Sequence, residues 1–262
     1  MLDLELMAHL FKAIDWNHVK RFILVGDPNQ LPPIGFGRPF LDIINFLRVQ
    51  AEHNDAIAYL TINCRQMEES STALELSSLF LGRPPPMNYE DLLNRIANAP
   101  KSDGIIGNDL EVHYWKGEDD LNDLMMGKLD ELLRAEFKIS GDASYADFNK
   151  LLGIPNSSSD RNLDYFQILT PYRGYYFGTG AMNNVVQKKF RAGLLAGKQI
   201  RGFTTFDKVI QVVNTTIYRK GGDTLSVFNG QLGYVKTIWG RGRHGEVAYV
   251  RFLDSDEDIA YT

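Results

Sequence analysis

The apolar run Phe22-Ile23-Leu24-Val25 gives way abruptly to Gly26-Asp27-Pro28, and no other junction restricts the fold of this chain as strongly. Four apolar residues without a polar interruption are the pattern of a strand buried on both faces, as in a parallel sheet. The glycine and proline after them end it. In open α/β sheets ligands lie just beyond the carboxyl ends of the strands, so Gly26, Asp27 and Gln30 stand where a nucleotide would sit. A glutamine amide both donates to a phosphate oxygen and accepts from a water, which suits a γ-phosphate sensor. The rigid pair Pro32-Pro33, followed by Gly35 and Gly37, would transmit a displacement at Gln30 instead of absorbing it. A short string of this kind in isolation is more often a surface loop with a locally satisfied glutamine.

Three further stretches carry chemistry-bearing residues. Residues 56–62 read as a second buried strand, leading into Asn63-Cys64-Arg65-Gln66. Arg65 thus takes a strand-end position like that of Gln30, and a guanidinium is permanently charged and grips phosphate bidentately. An isolated arginine there is more often a solvated loop residue. Residues 167–191 pass from a strand through Thr170-Pro171 and a glycine-spaced loop into a helix bearing Lys188, Lys189 and Arg191. Tyr172, Arg173, Tyr175 and Tyr176 in that loop can combine phosphate contacts with base stacking. The plainer alternative is a basic helix face above core tyrosines. Residues 206–235 form the fourth stretch, with Gln211, Asn214 and Gln231 among short apolar runs.

Together these stretches resemble superfamily 1 helicases of the RecD-like type, related to the alpha subunit of exodeoxyribonuclease V. GDPNQLPPIGFG is similar to their motif III, GDxxQLPPVGxG, with Ile34 for Val. NCRQ is similar to motif IV, with Cys64 where Tyr is usual. LTPYRG and MNNVVQ resemble LTPMRRG and LNxxLQ, with Tyr172 for Met and a single basic residue before Gly174. The fourth stretch resembles GDKVMQxxNNY and VFNGDxGxV, with Gln231 where Asp is usual.

The resemblance implies an α/β fold: parallel-sheet, RecA-like motor parts and a small SH3-like β-barrel. Residues 1–55 would end the first RecA-like domain, 56–226 would form the second, and 227–262 would be part of the barrel insertion. Gly26, Asp27, Gln30 and Arg65 would bind nucleotide, with Gln30 and Arg65 as the catalytic γ-phosphate sensors. Pro32, Pro33, Gly35, Tyr172 and Arg173 would face single-stranded DNA. ATP and Mg²⁺ would be the cofactors of the complete protein, and repair or nuclease subunits further partners.

Two parts of such a motor are missing from the sequence. There is no GxxxxGK(S/T) phosphate loop; Gly193 to Gln199 is a near miss with three residues between its glycines. No acidic pair follows an apolar strand where a Mg²⁺ ligand is required. The chain alone is therefore expected to be a catalytically silent helicase fragment. The alternative is a non-catalytic helicase remnant that binds DNA or a protein partner. With 28 Lys and Arg against 33 Asp and Glu, the formal charge of −5 gives no global field for nucleic acid, so any such site is a local groove.

The single cysteine, Cys64, excludes an internal disulfide and fits a reducing, cytoplasmic setting. No apolar run approaches the roughly 18 residues of a membrane span, and the first residues lack the basic region of a signal peptide. The five histidines show no metal-ligand spacing. Periodicity predicts helices over 3–14, around 40–47, near 71–81, over 119–137 and over 181–196. It predicts strands over 21–25, 56–62, 110–115, 165–169 and 207–213, then short strands over 233–239, 246–252 and 258–262.

Overall fold

The computed structural model describes residues 2–33, 35–50, 55–60, 71–81, 89–99, 104–154, 163–218, 224–240, 245–253, 255 and 257–262. The chain divides into two compact units, Met1–Tyr114 and Trp115–Thr262.

In the first unit, α1 (Leu4–Ala13) starts where the Asp3 carboxylate accepts the Leu6 N–H at 2.8 Å, satisfying a donor the helix cannot pair itself. Met7 is its buried contact. Phe11 of this helix packs against Trp16 and Phe22 with ring centroids 4.7 and 5.6 Å away, which fixes the entry to the 22–25 run. Helix α2 (Pro39–Val49) opens on a proline, whose missing N–H is harmless at that position. Helices α3 (Thr72–Ser78) and α4 (Tyr89–Asn98) share a small core of Leu92, Ala99 and Ile106 with Leu76, Leu79 and Val112. Asp109 accepts from the Ser71 hydroxyl and, at 2.8 Å, from the Thr72 N–H, so a distant loop doubles the cap of α3.

The second unit joins helices to strands. Helix α5 (Glu118–Phe137), α6 (Tyr145–Leu151) and α7 (Thr179–Leu195) enclose Leu129, Leu133, Phe148, Leu151 and Phe190, and Tyr234 reaches that core from a strand. Phe148 and Phe190 stack with centroids 4.4 Å apart. Strands β1 (Lys208–Ile210), β4 (Leu232–Trp239), β5 (Val247–Phe252) and β6 (Asp258–Tyr261) form an antiparallel sheet in the order β1-β4-β5-β6. Strands β2 (Thr215–Tyr218) and β3 (Thr224–Val227) form a separate hairpin. Ile217, Leu225 and Val227 of the hairpin pack with Val235, Ile238, Val250 and Ile259 of the sheet. The alternation along β5, every second residue buried, is the period-two signature of a half-buried strand.

All five helices expected from periodicity form, within two or three residues at each end. The mixed α/β character holds as well. Its arrangement differs from the expectation, because every strand pairing among the described residues is antiparallel. The runs 21–25, 57–60 and 166–169 take no strand pairing among the described residues; the segment 110–115 makes one bridge there, Ile105 to Glu111. A strand exists only where a neighbour takes up its N–H and C=O groups, so an apolar run supplies half of what a sheet requires. Val25 is accordingly 88% exposed and Leu60 98%. Among the described residues the small sheet also stays open, with β1 and β6 as its edges, where part of an SH3-like β-barrel was expected. One side-chain bond crosses the gap, from the Tyr261 hydroxyl to Gln211 Oε1 at 2.8 Å. The strand expected over 207–213 pairs with β4, so this sheet begins ahead of residue 227. No helix among the described residues is long and apolar enough to cross a membrane.

Candidate functional site

The loop after the 22–25 run is built by short local bonds. The Asp27 carboxylate accepts the Asn29 N–H at 2.9 Å, and its carbonyl accepts the Gln30 N–H at 3.2 Å, which folds 27–30 into a tight turn. Leu4 N–H donates to the Phe36 carbonyl at 2.9 Å and ties the far side of the loop to the start of α1. A Cβ at Gly35 would overlap the Asp3 carboxylate, so glycine there protects the helix cap. A hollow of ≈ 260 Å³ opens beside this loop, lined by Gly26, Asp27, Gln30, Pro32, Arg38 and Phe40 among others. The Gln30 side chain stands exposed at this hollow and makes no hydrogen bond to any described residue. Six expected site residues thus come together in one loop: Gly26, Asp27, Gln30, Pro32, Pro33 and Gly35. Arg65 and its neighbours Asn63, Cys64 and Gln66 lie outside the described residues.

A second locus, within the second unit, holds Tyr172 and Arg173. The Thr170 hydroxyl donates to the Phe177 carbonyl at 2.7 Å, and Thr179 N–H donates to the Tyr172 carbonyl at 3.0 Å. The loop is so tight that a Cβ at Gly178 would overlap the carbonyl oxygen of Gly174. Around Phe177 gather Tyr176, Tyr175, Tyr172 and Trp115, with ring centroids 5.1 to 5.7 Å from its own. Sequence reasoning found three of these tyrosines and missed Trp115 and Phe177. Trp115 sits 57 positions before Tyr172, at the end of a segment read as a core strand, so only the fold brings it here.

The remaining motif residues are builders. Gln187 donates to Asp207 Oδ2 at 2.6 Å and to the Gly202 carbonyl at 2.9 Å, joining the third and fourth sequence stretches through one amide. Asp207 also accepts the Thr204 N–H at 2.8 Å and faces the Arg191 guanidinium at 3.8 Å. Burial pushes the Asp207 carboxyl above its ordinary range and brings Arg191 down to about 10, with Asp207 opposing that fall. Gln231 Oε1 accepts the Phe228 N–H at 2.7 Å, and Asn214 Oδ1 accepts the Asn229 N–H at 2.7 Å. These two side chains shape the turn before β4.

No family model matches the chain, and no solved structure matches it. It is similar to an uncharacterized protein of Methanocaldococcus jannaschii, 28% identical over 260 residues that take in 91% of this chain. The chain spans 21% of that relative's length.

Proposed function

We propose that this chain is the interior of an ATP-dependent DNA translocase of the RecD-like superfamily 1 type, from motif III into the SH3-like insertion. The observation that carries the reading is Gln30: an unbonded amide at the rim of a hollow, on a turn fixed by Asp27 and stiffened by Pro32-Pro33. A free amide on a rigid strand-end loop has the chemistry to register a phosphate and to displace the proline segment beyond it. In this reading the apolar runs 21–25 and 166–169 are parallel strands whose neighbours come from the rest of a longer protein. The small antiparallel sheet and its hairpin are then the core of the SH3-like module. The length of the archaeal relative, of which this chain spans about a fifth, is consistent with a larger machine.

ATP and Mg²⁺ would be cofactors of that whole protein. Gln30 and the backbone of Gly26 and Asp27, which line the hollow, would meet one face of a triphosphate. They do not fit Mg²⁺, because the sequence offers neither a phosphate-loop lysine nor an acidic pair, and no step through the metal is assigned to them. Gln30 and Arg65 would sense the γ-phosphate, while Pro32, Pro33, Gly35, Tyr172 and Arg173 would face single-stranded DNA.

The test is the ATPase rate of the complete protein with and without single-stranded DNA. Gln30→Ala is expected to retain ATP binding and lose most of the stimulation by DNA. Arg65→Ala is expected to slow turnover at least about tenfold, the loss of one charge-assisted phosphate contact. Full stimulation in both variants would refute the assignment.

A further inference from the structure

We infer that a second hollow, between α7 and β1 in the second unit, is a binding site for a small carboxylate with an apolar body. The site lies apart from the loops assigned above to nucleotide and DNA, and the inference is independent of the translocase reading. The hollow measures ≈ 520 Å³, within the roughly 300–1,000 Å³ of clefts that hold small organic ligands. One wall is a single face of α7, formed by Thr179, Met182, Asn183, Val186 and Gln187 at helical spacing. Phe148 and Leu152 are its buried apolar contributors, and Ile168 and Ile210 add exposed apolar surface. An apolar chain laid there would cover both isoleucines.

Charge selects the head group. The one carboxylate lining the hollow, Asp207, already accepts from Gln187 and the Thr204 N–H and faces Arg191, so it has little left for a cationic ligand. The positive groups are less committed. Lys208 is half-buried, and its ammonium, which carries three donors, makes one hydrogen bond to a described residue, to the Phe166 carbonyl at 3.0 Å. Burial lowers the Lys208 pKa and Asp164 opposes that fall, so a bound anion would offset a desolvation the fold leaves only partly compensated. Arg201 lines the same hollow, is exposed and forms no ion pair among the described residues. One half-buried cation and one screened by solvent suit a monoanion better than a dianionic phosphate.

The surroundings of these cations are fixed in advance. Arg201 has φ 51°, a left-handed conformation that costs a non-glycine residue energy. Its turn is closed by Ile200 and Phe203, which exchange N–H to carbonyl bonds at 3.0 and 2.9 Å, and is tied to α7 through Gln187 and the Gly202 carbonyl. Lys208 is held by the pairing of β1 with β4. A site ordered before the ligand arrives lowers the ordering cost of binding.

The experiment is calorimetric titration of the full chain with octanoate, with octanol as its neutral counterpart and with inorganic phosphate, each below the concentration at which it self-associates. Octanoate is expected to saturate a single site and to bind at least about tenfold more tightly than octanol, the effect of one charge-assisted hydrogen bond. Phosphate, which lacks the apolar body, should not saturate. Lys208→Met should bring octanoate down to the affinity of octanol, and Lys208→Arg should keep the preference. Octanol reports the apolar part alone, so its unchanged affinity in Lys208→Met separates a lost charge from a lost fold. Asn183→Trp, at an exposed position of the α7 wall, should weaken both ligands by filling the space and leave the melt unaltered. Absence of saturable octanoate binding, equal affinity for octanoate and octanol in the wild type, or a preference that survives Lys208→Met would overturn the site. So would loss of octanoate binding when the chain is carried within a longer protein, since another polypeptide segment would then fill the hollow. The translocase reading is decided separately, by the Gln30→Ala ATPase.

Discussion

Gln30 and Gln187 carry the same amide and stand in opposite circumstances. The Gln187 amide is spent on Asp207 and the Gly202 carbonyl, whereas the Gln30 side chain has no partner among the described residues. Gln187→Ala should therefore lower stability by about 1–3 kcal/mol, because a half-buried carboxylate loses a donor, while Gln30→Ala should leave the melting temperature unchanged. Thermal melts of the two variants make the comparison. The pH dependence has a definite sign. Burial raises the folded pKa of Asp207, so the folded state takes up this proton more readily than the unfolded chain. The defect in Gln187→Ala should be largest where Asp207 is ionised and shrink as pH falls through that raised value, since a protonated carboxyl needs fewer donors. At this scale the sequence placed Gln30 and Arg173 in loops, and both stand exposed outside the helices and strands. It was silent on Trp115 and Phe177, whose partners are chosen by the fold, and on the Gln187–Asp207 bond across 20 positions.

Helices were legible because their stabilising groups are local. Ser144 and Asp147 form a reciprocal capping box at the start of α6, three positions apart. Ser144→Ala should cost about 1 kcal/mol, measured by denaturant unfolding. The double cap on α3 is less local, since Asp109 reaches it from 37 positions away. The Ser71 hydroxyl, with smaller help from backbone N–H groups, holds the Asp109 carboxyl below its ordinary 3.8. That interaction stabilises the fold above 3.8 and fades as pH drops through the lowered value. The melting difference between wild type and Asp109→Ala should accordingly be largest at neutral pH and vanish in strong acid. The parallel strands expected from the apolar runs do not form among the described residues, because such a run marks an apolar segment and not the neighbours a sheet requires. The antiparallel strands after residue 227 were read correctly, each having its partner a short turn away.

For the molecule as a whole, the expected outcome is that the isolated chain hydrolyses no ATP, with or without single-stranded DNA. Turnover that survives rigorous purification would refute the inference from the missing phosphate loop. The unpaired 21–25 run has a further consequence for anyone handling this protein. Ile23 and Val25 present bare apolar side chains on a backbone whose polar groups no described strand takes up. Such an edge is a template for other copies. Light scattering from the purified chain should rise steeply with concentration, and Val25→Lys, a charged gatekeeper on the open edge, should suppress it without altering the melt. The colloidal behaviour of the chain would then be set by five residues that pair with no described strand.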